Sequence, residues 1–225
     1  MTKSSKRLEL GRKPANRKKG KRHLIVTNGK VTETAYFKHL IAESGVRGRV
    51  LVRTIEGDPL TVAKAINKEL ASDKGAVTKK QGIDELSTVW LVVDADDFKN
   101  LRNTETELRK SGAQLCLSNP CFEVWLIDHF ELCSDSLSVA KLCEERARKL
   151  GATKPTNSRR QSLAKCKDIN VEALKGKEDA ACGNARRHNT DEKKTIRANR
   201  PDEKNLYAVW TDMPNLVKTV FGLSS

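Results

Sequence analysis

In the first half of the chain, short apolar runs alternate with stretches of helical periodicity. HLIVT at 23–27, RVLVRTI at 49–55, TVWLVV at 88–93 and QLCLS at 114–118 have the length and residue types of buried strands. Between the first two, NGKV reads as a tight turn, with Thr32 as the cap of a helix that brings Tyr36, Phe37, Leu40 and Ile41 to one face. Gly57, Asp58 and Pro59 break the second run, and a helix over 60–73 follows with Val62, Ile66 and Leu70 on one side. A polar loop at 74–84 leads into the third run, and a helix over 104–110 leads into the fourth. Strands alternating with helices predict βαβ units, hence an α/β fold with a parallel sheet flanked by helices.

Beyond the fourth run the period changes. Asn119-Pro120 reads as a cap followed by a proline in the first helical position, ahead of a face carrying Phe122, Trp125, Leu126 and His129. A further helix carries Leu137, Ala140, Lys141, Glu144 and Arg148. Residues 153–200 are polar and basic, and 214–223 regains helical spacing through Leu216, Val217, Val220 and Phe221. The expected organisation is a flexible basic arm over 1–22, an α/β core over 23–133, and a basic helical extension over 134–225 that packs on the core.

Charge narrows the function classes. The chain carries 43 Lys+Arg against 29 Asp+Glu, a formal net charge of +14, and residues 1–22 alone hold ten basic residues against the single acid Glu9. Such a field favours polyanions. No apolar run approaches the ~20 residues that span a bilayer, and no apolar export signal is visible at the start, so a cytoplasmic protein is expected. The six cysteines make no CxxC pair and read as reduced thiols. Aromatic residues make up 4% and do not interleave with the arginines, which argues against a base-stacking platform.

The most hydrophobic run ends in acids: Asp94, Asp96 and Asp97 follow TVWLVV directly. In open α/β sheets, sites form beyond the carboxyl ends of the strands, and Asn28, Asp94, Asp96 and Ser118 all fall there. Carboxylates at i and i+2 can share a hard cation, which takes one or two of them plus waters and phosphate oxygens. An Asp-x-Asp nucleophile of the phosphatase type usually follows a first strand rather than a third.

The stretches HLIVTNGKVTETAYF, VWLVVDADDF and SNPCFEVWLIDHF, followed by NARRHN and PNLVKTVFGL, resemble the RloB-like proteins of bacteria and archaea over nearly the whole chain. The resemblance implies a Toprim-like core and a metal-dependent nuclease in prokaryotic anti-phage defence, with an AAA- or ABC-type ATPase as partner. It assigns Asp94 and Asp96 as ligands of Mg²⁺ or Mn²⁺, Asp97 as an additional ligand, and Glu33 as a metal-binding or catalytic acid. It also exposes a departure: Asn28 stands where the family's first glutamate is expected, and Lys30 replaces another. Asn offers a carbonyl oxygen but no carboxylate base.

Two readings therefore stand together. In one, Glu33, Asp94, Asp96 and, from the start of the next helix, Glu123 form a catalytic carboxylate set acting on DNA or RNA, tRNA included. In the other, the chain is a catalytically impaired nucleic-acid-binding subunit that regulates or recruits an ATPase or nuclease. Arg159, Arg160, Arg186, Arg187, Arg197 and Arg200 are the candidate phosphate contacts in both. His129, on an apolar face, is expected to be a core residue.

Overall fold

The structure is a computed structural model that describes residues 21–29, 31–71, 86–95, 98–154 and 168–223. The expected basic arm over 1–22 thus lies almost wholly outside the described residues. The four apolar runs form β1 (His23–Thr27), β2 (Val50–Thr54), β3 (Thr88–Asp94) and β4 (Gln114–Asn119). They pair in parallel in the order β2-β1-β3-β4. The helices between them are α1 (Thr32–Glu43), α2 (Pro59–Ala71) and α3 (Leu101–Arg109).

Alternation along the strands explains the layering. Ile25, Trp90, Val92 and Cys116 point to one face and join a core built with Tyr36, Phe37 and Leu40 of α1. Leu24, Val26, Val89, Leu91, Val93 and Leu117 point to the other and meet Val62 and Ile66 of α2 and Leu101 and Leu108 of α3. Strands apolar on both faces can only sit between two helical layers. The fold is α/β, a mostly parallel sheet flanked by helices, as the Toprim-like expectation requires.

After β4 come α4 (Glu123–Asp128), a 3-10 turn (Asp135–Leu137) and α5 (Ala140–Lys149). A small antiparallel pair follows, β5 (Thr153–Lys154) with β6 (Asp168–Ile169). Then come α6 (Val171–Leu174), α7 (Glu178–His188) and α8 (Asp191–Asn199). The strand β7 (Trp210–Thr211) and α9 (Met213–Phe221) complete the chain.

Several expectations are corrected here. The extension is not only helical, because β7 pairs antiparallel with β4 and supplies the fifth strand of the main sheet. Two residues carry too short a pattern to read as a strand, and their pairing is decided by contacts far away in the chain. Asn189 clips β7 in place: its amide donates to the Thr211 carbonyl at 2.7 Å and accepts from the Thr211 N–H at 3.2 Å. Thr32 is the first residue of α1, not its cap, and Val31 holds the cap position. Asn119-Pro120 does not open a helix: Asn119 ends β4, the bond to Pro120 is cis, and α4 begins at Glu123. Leu137 falls in the 3-10 turn, and the helix starts at Ala140.

Candidate functional site at the carboxyl rim of the sheet

Because β2, β1, β3 and β4 run parallel and adjacent, their carboxyl ends line up as one rim. Asp94 stands opposite Ser118 in the β3–β4 register. The Asn28 N–H donates to the Val92 carbonyl at 3.1 Å, which joins the end of β1 to β3. The Ala95 N–H donates to the carbonyls of Ser118 (2.9 Å) and Pro120 (3.1 Å), so the backbone leaving β3 stays tied to β4. The Ser118 hydroxyl lies 3.0 Å from that of Thr211 and is thereby tied to β7.

Two further acids open the helices that follow β1 and β4. Glu33, in the first turn of α1, is 7% exposed. Its carboxylate folds back over the β1–α1 turn so closely that a Cβ on Gly29 would lie 2.1 Å and 2.2 Å from its oxygens. The glycine is needed here for close approach. Glu123 opens α4 and is 4% exposed. The thiol of Cys121, just before it, titrates well above the ordinary range. A hydrogen bond from Cys143 and burial are the main causes, and the charges of Glu123 and Asp94 add to them.

The helices that carry Glu33 and Glu123 are locked together by aromatic side chains. Tyr36 packs edge-on against Phe122 and Trp125, at centroid distances of 5.6 Å and 6.3 Å. His129 completes the group: its Nδ1–H donates to the Trp125 carbonyl at 2.8 Å, and its Nε2 accepts from the Tyr36 hydroxyl at 3.3 Å. That tautomer follows from the two partners. Burial lowers the His129 pKa to about 4, so the ring is neutral, the satisfied core residue that its apolar face predicts.

The donors at the rim, Glu33, Asp94 and Glu123, are all hard oxygens, which suit Mg²⁺ or Mn²⁺ rather than a soft metal. Among the described residues no group of three or more ligand-type side chains stands close enough to hold a metal ion. Asp96 and Asp97, expected to contribute, lie outside the described residues, as does Lys30.

Asn28 has a definite task. Its side-chain N–H donates to the Gly57 carbonyl at 3.1 Å and ties the end of β1 to the β2–α2 turn. A carboxylate at this position could not donate, and would face a carbonyl oxygen. Beside it, the hydroxyls of Thr27, Thr34 and Thr54 form a closed triangle with sides of 2.9, 3.0 and 3.2 Å.

The family comparison agrees with this architecture: the chain matches the family described as RloB-like protein over residues 23–220. The chain belongs to the RloB-like family. No curated protein matches it, and no solved structure does.

The basic candidates of this RloB-like protein separate by location. Arg186 and Arg187 are exposed on α7, and Arg200 is exposed, with Glu203 at 3.7 Å. Arg197 is 8% exposed, and its guanidinium is held by Glu105 at 2.5 Å and Asp212 at 3.3 Å. Its charge serves the packing of α8 on α3 and α9. Arg159 and Arg160 lie outside the described residues. The other members of NARRHN face inward. Asn184 donates to the Asp128 carbonyl at 2.8 Å, and His188 Nε2 lies 2.8 Å from the Asp128 carboxylate. Burial pushes the Asp128 carboxyl up despite that partner. No helix among the described residues is long and apolar enough to cross a membrane.

Sequence reasoning missed Lys204 and Asp202. The Lys204 ammonium donates to the carbonyls of Ala95 and Phe98, the latter at 2.8 Å, where the chain leaves β3. Asp202 accepts from the Leu101 N–H at 2.6 Å at the start of α3. Nothing in the local sequence marks either residue, since their partners lie about a hundred positions away.

Proposed function

We propose that this protein is a metal-dependent nuclease that cleaves nucleic-acid phosphodiesters, and that it serves prokaryotic defence beside an ATPase partner. The observation that supports this reading is that Asp94 ends β3 while the shielded acids Glu33 and Glu123 open the helices that follow β1 and β4, in a chain with net charge +14. A hard divalent cation takes one or two carboxylates together with waters and phosphate oxygens, which suits acids at a strand end in a polyanion-binding chain. Asp94, with Asp96 and Asp97 after it in sequence, would hold the cation, and Glu33 would complete its oxygen ligands. A bound Mg²⁺ or Mn²⁺ supplies Lewis-acid stabilisation of a phosphoryl group. Glu123, shielded from water, would serve as a further acid beside the end of β4. Arg186, Arg187 and Arg200 present positive charge for the polyanion, with Arg159 and Arg160 as additional candidates.

Asn28 favours a second reading, a nucleic-acid-binding subunit with an impaired active site. Its amide braces the rim through Gly57, a structural use that a ligating glutamate could not share.

One experiment separates them. Labelled tRNA, single-stranded RNA and plasmid DNA are incubated with the protein and Mg²⁺ or Mn²⁺, with chelator and the Asp94→Ala/Asp96→Ala double variant as controls and Asn28→Glu alongside. The nuclease reading expects metal-dependent cleavage that the double variant loses by at least about a hundredfold, with binding retained. Cleavage by Asn28→Glu alone would identify a disarmed nuclease scaffold. Tight binding that is indifferent to chelator and to the double variant, with no cleavage by any form, would establish the binding subunit.

A further inference from the structure

The backbone that follows Asp94 is gripped from the opposite end of the chain. Ala95 is fully buried and its N–H is bound to β4. Its carbonyl accepts from the Phe98 N–H at 3.4 Å and from the Lys204 ammonium. Lys204 also takes the Phe98 carbonyl. Asp202 caps the first amide of α3, and Arg102 donates to the Asn199 carbonyl. The grip is anchored in turn on β4, because the Asn119 amide donates to the Lys204 carbonyl at 2.8 Å. The segment 199–204 thus closes a ring from the end of β4, through Lys204, to the exit of β3.

An ammonium is strongly hydrated, and turning its donors to main-chain carbonyls in a half-buried place requires compensation. The two carbonyls supply that compensation as hydrogen-bond acceptors. Loss of a group that orients a ligand from outside the ligand set typically weakens metal affinity by about ten- to a hundredfold.

We propose that Lys204 is a positioning residue of the carboxylate rim: by holding the carbonyls of Ala95 and Phe98 it fixes the backbone from which Asp94 is presented to a hard divalent cation. The proposal rests on the metal reading above. Lys204 touches neither substrate nor cation in this role.

The test uses the full chain and Mn²⁺ as the probe. Mn²⁺ affinity is measured by electron paramagnetic resonance titration for the wild type, Asp94→Asn, Lys204→Met and Lys204→Arg. Hydrogen exchange at the Phe98 and Leu101 amides is followed in metal-free protein. Asp94→Asn is expected to lose Mn²⁺ binding. Lys204→Met is expected to weaken it about tenfold or more and to speed exchange at both amides. Lys204→Arg, which keeps donors for both carbonyls, is expected to return to within about threefold of wild type. Where cleavage is measured, kcat falls in Lys204→Met while KM for nucleic acid holds.

Wild-type Mn²⁺ affinity in Lys204→Met, with Asp94→Asn defective, overturns the role of Lys204 and leaves the metal reading intact. Equal losses in Lys204→Met and Lys204→Arg overturn it too. Absence of Mn²⁺ binding by the wild type overturns both. If Lys204→Met fails to fold by circular dichroism, Lys204→Arg decides: affinity and exchange close to wild type support the grip, and full loss of affinity overturns it.

Discussion

Gly29 illustrates how one residue's missing side chain shapes the rim. The Glu33 carboxylate occupies the space a Cβ would take, with its oxygens 2.1 Å and 2.2 Å from that position. Gly29→Ala must push the carboxylate aside, and since the clash falls on the far end of a flexible side chain, the fold should tolerate it. The variant is expected to melt within a few degrees of wild type and to match Glu33→Gln in cleavage or Mn²⁺ binding. A Gly29→Ala protein with full metal affinity would remove Glu33 from the proposed ligand set. Asn28 makes the complementary point: the residue that departs from the family pattern is a hydrogen-bond donor to Gly57, and a donor is what the turn requires. Its spacing was legible in the sequence, but its partner was not.

At the scale of elements, α1 and α4 are coupled through a neutral histidine. His129 has a pKa near 4 in the fold against about 6.5 unfolded, mainly through burial. The unfolded chain therefore binds the proton first, and stability falls as the pH drops from about 6.5 towards 4. The full effect is roughly 3 kcal/mol at the acid end. His129→Gln can still accept from Tyr36 but does not titrate. Urea denaturation at pH 7 and pH 4.5 should show a smaller acid loss in His129→Gln than in wild type, by roughly 2 kcal/mol. Equal losses would mean that other groups dominate the acid response. The same coupling sets the separation of Glu33 and Glu123, because the aromatic group around Tyr36 fixes one helix against the other. Helical spacing alone brought Phe122, Trp125 and His129 to one face, but left open which helix they meet.

Across the whole molecule, the arginines divide into those that build the fold and those that face solvent. Arg197 is clamped between Glu105 and Asp212. Arg197→Ala leaves two shielded carboxylates without their cation and should cost about 3–5 kcal/mol in chemical denaturation. The Arg186→Ala/Arg187→Ala double variant should leave stability within about 0.5 kcal/mol. It should instead weaken polyanion binding and lower the salt dependence by about two ion equivalents, measured as the slope of log K against log salt. An unchanged slope would place the polyanion on another face.

The sequence by itself determined the strands, their parallel pairing class and the rim. Those rest on local periodicity and on the rule that βαβ connections put every strand's carboxyl end on the same side. It also marked Asp94 and Glu123, because each lies next to a strand end or helix start, while Glu33 was marked by the family resemblance. Only the tertiary structure decided what depends on distant partners. It added β7 to the sheet, buried Arg197 between two acids, turned Ser118 to Thr211, and brought Lys204 to the exit of β3. The physical reason is one of range. A hydrophobic period is repeated over many residues and can be read within a window, whereas a single charge or amide has no period. Its role is set by whichever groups the folded chain places within about 3 Å of it.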